Sequence, residues 1–348
     1  MSGAAFVRAA GAPREIGRAH GAAVAAPLRA FLDDGLARLN HLTARPVSLT
    51  ELLPSIALYR AETTVRLPDL AEEVAGLAEG AGITEDEAWL LQLRREVMGR
   101  RGVPAAGDCT AYARAAPGGP PVLAQTVDQN ADLDRNVAVV HVDRAGSPRR
   151  VLALSFAGLL CFMGLNSDGL AIGLNLVTDG EWRPGVPPYL AVRHLLDSAG
   201  SVDEALEVLA GLELSSSRAM MLCDREKVVF AELQRGRLRA TEPARRWAVH
   251  ANHYLHPDFT ARDRQSASDR ISSDARAAAA AAGLAALAPD AGPEEHFALL
   301  CEAPLCIADQ GDIALERTVA AVVLLPAAGE MHLRPGNPNL APTQVFRV

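Results

Sequence analysis

The chain has 348 residues, of which 49% are hydrophobic and 22% charged, with a formal net charge of −8. That length suits one large or two ordinary domains with a sizeable core, and the composition is too apolar for a disordered chain. The acidic balance and scattered arginines exclude a phosphate-tracking basic surface, so no nucleic acid partner is expected, and a lone lysine, Lys227, sets aside Schiff-base and P-loop chemistry.

At the N-terminus Arg8, Arg14, Glu15 and Arg18 interrupt any apolar run that a signal peptide would need, and no span has the length of a membrane helix. A cytoplasmic protein with no membrane partner is expected. Residues 1 to about 103 read as helical, with apolar residues at helical spacing through Ile16 to Leu32, Leu52 to Tyr59 and Leu67 to Val97. Ser48-Leu-Thr-Glu51 and Thr84-Glu-Asp-Glu87 each carry the pattern of a capping box. The stretch Gly76-Leu-Ala-Glu-Gly-Ala-Gly82 reads as a glycine-rich corner between helices; it lacks the lysine and the preceding strand of a phosphate loop.

From about residue 104 the texture changes. A small-residue linker, Arg101 to Gly107, precedes short runs that suit strands: Cys109–Arg114, Val122–Val127, Ala138–Val142, Val151–Ser155, Leu160–Leu165 and Leu170–Leu176. Two helices follow near Tyr189–Ser198 and Val202–Leu212, then strands from Arg218 to Ala240 with a hairpin-like Gln234-Arg-Gly236. A helix over Arg262 to about Leu287 and strands at Val319–Leu325 and Glu330–Leu333 complete the chain. The alternation predicts an α+β fold of two antiparallel sheets between helix layers, a four-layer αββα core over 109–348, with 1–108 as a helical segment in front of it.

Five cysteines (Cys109, Cys161, Cys223, Cys301, Cys306) are odd in number and widely spaced, so free thiols are expected rather than a disulfide framework. Cys109 stands apart, in Gly107-Asp-Cys-Thr-Ala-Tyr112, after a flexible linker and at the head of a strand. A thiol there can attack the carbonyl of its own preceding residue, and hydrolysis of the thioester leaves Cys109 as a new N-terminus. An α-amine of pKa about 7.7–8.0 beside a thiol of about 8.5 can then act as its general base without a histidine. The plainer alternative is a buried strand cysteine.

Several segments together resemble the acyl-coenzyme A:6-aminopenicillanic acid acyltransferase family, a branch of the N-terminal-nucleophile superfamily. They are Gly17-Arg-Ala-His-Gly21, Leu67 through Ile83, Asp108-Cys-Thr110, Val122 through Asp128, Gly164 through Asn175, Ala251-Asn-His253 and Leu333-Arg-Pro-Gly-Asn-Pro338. Their order and spacing carry the likeness. The resemblance implies autocleavage between Asp108 and Cys109, with Cys109 the nucleophile and Asp128 holding its α-amine. It also implies that Asn175 and Asn252 donate to the tetrahedral oxyanion. The substrate would be a small-molecule amide or acyl thioester, the acyl group passing to water or an amine, and the cleaved N-terminal fragment would stay as a bound partner. A homo-oligomer is left open, and neither a cofactor nor a metal is expected. Gln125 stands where the related choloylglycine hydrolases carry arginine, which argues against bile-salt substrates. Arg270, in Ser268-Asp-Arg270, matches a family serine-x-arginine signature or is a helix-surface residue.

Rival readings are weaker. His250, His253 and His256 could suggest zinc, but Asn252 and Pro257 argue for a strand running into a turn, where that spacing does not converge. Cys301 and Cys306 have the wrong spacing for a zinc knuckle, and Asp128, Asp132 and Asp134 lack the glycine and glutamate of a calcium loop. An uncleaved binding protein on the same fold, or a hydrolase pairing a cysteine with His250 or His253, are the alternatives.

Overall fold

The computed structural model describes residues 3–103, 109–115 and 117–348; the predicted cleavage residue Asp108 lies outside them. The first segment opens with a strand, β1 (Ala5–Gly11), and continues through helices α1 (Pro13–Ala23), α2 (Ala25–Asp33), α3 (Leu49–Arg66), α4 (Pro68–Ala81) and α5 (Glu85–Arg100). Both predicted capping boxes form. Ser48 and Thr84 each accept from the backbone N–H three residues on, at 3.3 and 3.2 Å, while Glu51 and Glu87 each accept from the cap backbone at 2.7 Å.

The remaining strands are β2 (Thr110–Arg114), β3 (Val122–Gln129), β4 (Val137–Arg144), β5 (Arg150–Phe156), β6 (Met163–Asn166), β7 (Ala171–Leu176), β8 (Arg218–Cys223), β9 (Val228–Gln234), β10 (Arg237–Thr241), β11 (Trp247–His250), β12 (Arg317–Leu325), β13 (Glu330–Pro335) and β14 (Gln344–Arg347). The helices among them are α6 (Pro188–Ser198), α7 (Val202–Ala210), α8 (Pro257–Thr260), α9 (Ala267–Ala286) and α10 (Pro293–Leu300). One sheet has eight strands in the order β1-β4-β5-β6-β7-β8-β9-β10, and the other has six in the order β11-β2-β3-β12-β13-β14. Strands β2 and β3 of the second sheet lie over β7 and β8 of the first. Helices α1, α6 and α7 pack on the first sheet and α9 and α10 on the second, giving the expected αββα layers. The inner strands are buried on both faces. In β2, Ala111 and Ala113 belong to the core between the sheets, while Tyr112 points into the second core under α9 and α10.

Two expectations about the first segment change. Strand β1 pairs parallel with β4 and forms the edge of the larger sheet, so the segment is not wholly helical. Its period of two, with Val7 and Ala9 buried between exposed Phe6, Arg8 and Ala10, is weak as a sequence signal because alanine and arginine are poor strand formers. The glycine-rich stretch is not a corner except at its end, where Gly82 caps α4 with φ +64°. Gly76 and Gly80 lie inside α4 against α1, and a Cβ on either would come within 2.0 Å of the carbonyl oxygen of Arg14 or Arg18. Gly17 and Gly21 meet α4 the same way, at 1.9 and 2.2 Å from Glu73 O and Leu77 O. The glycines let two helix backbones touch. By contrast, the Gln234-Arg-Gly236 hairpin forms as read, with Arg235 and Gly236 both left-handed (φ +52° and +73°), as a two-residue turn requires.

Candidate active site

Cys109 sits just before β2, and the pairing of Thr110 with Thr126 sets it beside the end of β3. Its thiol is buried and lies against the backbone of Asp128, whose N–H donates to Sγ at 3.4 Å, with the carbonyl oxygen 3.7 Å away. Burial, and then the Asp128 carboxylate, push the thiol pKa well above its ordinary value, so at rest Cys109 is a neutral thiol. Proton removal has to accompany attack.

Asp128 is itself fully buried and accepts from Thr318 Oγ1 at 2.6 Å and Thr126 Oγ1 at 3.2 Å. A register shift in β12 between Thr318 and Ala320 turns Thr318 toward the carboxylate, a frequent use of a bulge near a site. The two asparagines converge from the other side. Asn175, near the end of β7, donates its amide to Cys109 O at 2.9 Å and to His250 O at 3.4 Å. Asn252, in the turn after β11, donates to Leu176 O at 2.9 Å and accepts from Arg276 at 3.0 Å. All four described residues of the expected set are therefore brought together. As placed, however, Asn175 holds the carbonyl of Cys109 and has both amide hydrogens engaged, which differs from the oxyanion geometry expected for it.

Gln125, the departure from the choloylglycine pattern, has a structural task here. Its amide donates to Leu174 O (2.8 Å) and accepts from Leu174 N (3.1 Å), satisfying the stretch of β7 beyond the reach of short β6 and so holding the strand that carries Asn175.

Arg276 was missed from the sequence. It projects from α9, is buried, and donates to Cys109 O and Thr110 Oγ1, both at 2.9 Å, as well as to Asn252. Its signal was a charge inside the buried stripe Ser273, Arg276, Ala280 and Leu284 of an otherwise alanine-rich helix. Arg270, the family-signature candidate, faces solvent and pairs with Asp274 at 3.0 Å.

No histidine nitrogen hydrogen-bonds Cys109 among the described residues. His250 is occupied by Glu232 (2.9 Å) and Ala251 O (2.8 Å), and His253 by Ser273 Oγ (2.8 Å). Burial, and then Arg270, hold His253 down at a pKa of about 4. His256 instead accepts from the backbone N–H of Asp258 at 3.2 Å, so the three imidazoles do not converge. Among the described residues no group of three or more His, Cys, Asp or Glu is placed to hold a metal ion.

A cavity of about 10 Å³ lies over Cys109, its wall including Arg95, Phe162, Tyr189, Arg218 and Glu316. It has room for about one water. Through Arg95, Phe162 and Tyr189 it adjoins a mostly apolar cleft of about 40 Å³ that reaches Phe31, Leu91 and Phe156.

The profile of the acyl-coenzyme A:6-aminopenicillanic acid acyl-transferase family matches residues 115–339, nearly two thirds of the sequence and the stretch that holds Asp128, Asn175, Asn252 and Arg276. The chain belongs to this family. The acyl-transferase match begins six residues past Cys109. Similar solved structures include a penicillin V acylase from Agrobacterium tumefaciens, 16% identical with a TM-score of 0.49, the alignment covering 69% of this chain and 86% of that one. A mutant conjugated bile acid hydrolase from Clostridium perfringens is 12% identical with a TM-score of 0.49, over 69% of this chain and 97% of that one. The Caenorhabditis elegans ortholog of N-acylethanolamine-hydrolyzing acid amidase is 14% identical with a TM-score of 0.47, over 69% of this chain and 100% of that one. As a member of the acyl-transferase family the chain is an enzyme of the amide-hydrolase and acyltransferase kind. Among the described residues no helix is long and apolar enough to cross a membrane.

Proposed function

We propose that this enzyme matures by cutting itself between Asp108 and Cys109 and then uses Cys109 as an N-terminal nucleophile on a small-molecule amide or acyl thioester. The observation that carries the reading is the convergence on Cys109: Sγ lies on the Asp128 backbone while Asn175 and Arg276 both donate to its carbonyl at 2.9 Å. A buried strand cysteine with only a packing role has no need of two polar side chains, one of them a buried arginine, spent on holding its backbone.

In maturation the thiol adds to the carbonyl carbon of residue 108, the C–N bond to Cys109 breaks, and water hydrolyses the thioester. The products are a carboxylate on Asp108 and a free amine and thiol on Cys109. In turnover the α-amine takes the Sγ proton as sulfur attacks the substrate carbonyl, and the resulting ammonium returns it to the leaving group. Asp128 holds the ammonium. Asn252 has a second amide hydrogen beyond the one given to Leu176 O, and it is the asparagine assigned to the oxyanion, while Asn175 orients Cys109. Water resolves the acyl-enzyme to an acid, and an amine resolves it to a new amide.

Residues 1–108 stay bound after cleavage in this reading. Support comes from β1 in the sheet, paired with β4, and from two buried links across the cut. Glu73 pairs with Arg193 at 2.6 Å, and Gln92 accepts from Leu160 N at 3.0 Å and donates to Gly158 O at 2.9 Å.

The test is the intact mass of purified protein under denaturing conditions beside Cys109→Ala. Residues 1–108 and 109–348 of the 36.7 kDa chain should appear as fragments of about 11 and about 25 kDa, and the variant should stay whole. A wild-type chain that stays whole while cleaving amides would remove self-processing from the mechanism.

A further inference from the structure

The histidine-rich turn after β11 holds a buried pair that the mechanism above does not use. His250, the last residue of β11, and Glu232, on β9, are both buried, and Nε2 of the ring lies 2.9 Å from Glu232 Oε1. The same carboxylate accepts two backbone N–H groups from beyond the turn, Leu255 at 2.6 Å on Oε1 and His256 at 2.7 Å on Oε2. Glu232 thereby fastens both ends of the stretch 250–256, and Asn252 lies inside it. The strand register explains the reach. Asn175 on β7 pairs with Ala219 on β8, and Ala219 pairs with Glu232 on β9, so the three side chains stand in one row on the face of the large sheet that looks toward the other sheet. The two polar ends of that row grip one residue, Asn175 donating to His250 O at 3.4 Å and Glu232 taking the His250 ring. From α9, Ser273 Oγ accepts from Asn252 N at 2.8 Å and Arg276 donates to Asn252 Oδ1 at 3.0 Å.

The hydrogen bonds also assign the charge. His250 Nδ1 faces Ala251 O at 2.8 Å, a carbonyl that can only accept, so Nδ1 carries a hydrogen. One further proton lies between Nε2 and Glu232 Oε1. Two backbone N–H donors on the carboxylate favour its ionised form, and the Glu232 pKa lies below its ordinary value: burial alone would raise it, and the His250 ring with those two N–H groups outweighs burial. The proton is therefore on the ring, and the pair is an imidazolium against a carboxylate. A buried ion pair is a poor source of stability, because well-packed apolar residues of similar volume serve as well or better. Its bonds instead converge on the turn that carries Asn252.

We propose that Glu232 and His250 are positioning residues for the reaction, an imidazolium and carboxylate pair that fixes the turn presenting the Asn252 amide to the tetrahedral oxyanion. The proposal rests on Cys109 as the nucleophile and Asn252 as the oxyanion donor. The pair then matters where the thiol adds to a carbonyl, and not where it displaces a leaving group from a saturated carbon.

The experiment measures two reactions of Cys109 in the purified enzyme, each read on the Cys109 peptide by mass spectrometry. Acylation by 4-nitrophenyl acetate passes through a tetrahedral oxyanion and releases 4-nitrophenol, whereas alkylation by iodoacetamide forms the C–S bond by displacing iodide and makes no oxyanion. In Glu232→Gln, acylation should slow at least about tenfold, part of the about 10²–10³ lost when an oxyanion donor is removed outright, while alkylation stays within about twofold. A merely structural pair would move both rates alike, and an unchanged ratio of the two overturns the positioning role. If the wild-type Cys109 reacts with neither reagent, the nucleophile reading falls and the positioning role with it. Because the variant could misfold, a second measurement uses the wild-type enzyme alone, with isotope-labelled histidine observed by NMR at about pH 6, between the depressed and the ordinary histidine values. The other buried histidines, His20, His253 and His296, are held by burial at a pKa of about 4 and are neutral there, with one ring N–H each. His250 should be the one imidazole with both ring N–H groups protected from exchange with water. A single N–H on every protected ring overturns the ion pair.

Discussion

Two buried arginines of this enzyme sit in opposite states of completion. Arg193, on α6, is fully buried and has a carboxylate on each side, Glu73 at 2.6 Å and Asp197 at 3.2 Å. Arg95, on α5, is buried beside the thiol cavity with no ion pair among the described residues. The first joins the N-terminal segment to the layer of helices on the large sheet, and the second leaves bonding capacity facing the site. What a buried charge is for can be read from whether the protein itself finishes its bonds.

The comparison makes graded predictions. The largest concerns Glu73→Ala, which removes the shorter of Arg193's two ion pairs and leaves Asp197 as its partner; unfolding by urea should show a loss of about 3 kcal/mol. Replacing the three charges at once, Glu73→Leu with Arg193→Met and Asp197→Asn, should cost less than the single change, and a larger cost would mean that the group is more than a set of paired buried charges. A smaller effect should come from pH. His20 is buried near Arg193, and burial, then the Arg193 charge, pull its pKa down to about 4; burial does the same to His296. A histidine whose folded pKa lies below its ordinary value near 6.5 binds fewer protons when folded, so stability falls as the pH drops from about 6.5 to about 4. His20→Gln should flatten the Tm-against-pH slope in that window, and an unchanged slope would show that His20 does not contribute. The smallest effect belongs to Arg95→Gln, expected to be neutral or slightly stabilising, within about 1 kcal/mol, because no native partner is stranded. A loss like that of Glu73→Ala would make Arg95 a structural residue and remove the contrast.

How much of this was legible depended on whether the signal was local. Capping boxes at Ser48 and Thr84 and the two-residue turn at Arg235-Gly236 were readable because both partners lie within a few residues and their geometry follows from backbone sterics. The site was readable in part: the motifs around Cys109, Asp128, Asn175 and Asn252 could be marked as family pieces. Their hydrogen bonds could not, since Asn175 meets Cys109 across 66 residues and Arg276 meets it across 167. Gly76 and Gly80 show the same limit. A glycine in a helix pattern reads as a break until the facing helix, here α1 at Arg14 and Arg18, is known to touch it.

By itself, then, the sequence determined the layered α+β class, the change of texture near residue 104, the cysteine at the head of a strand and the family, because periodicity, caps and motif order are properties of contiguous residues. Only the tertiary structure decided that β1 completes the large sheet, that Gln125 holds β7 rather than supplying site charge, that Arg276 rather than Arg270 reaches Cys109, and that Arg95 from the N-terminal segment faces the thiol cavity. Each of these depends on which surfaces are pressed together and deprived of water. Burial and pairing are properties of the packed chain, and no local pattern encodes them.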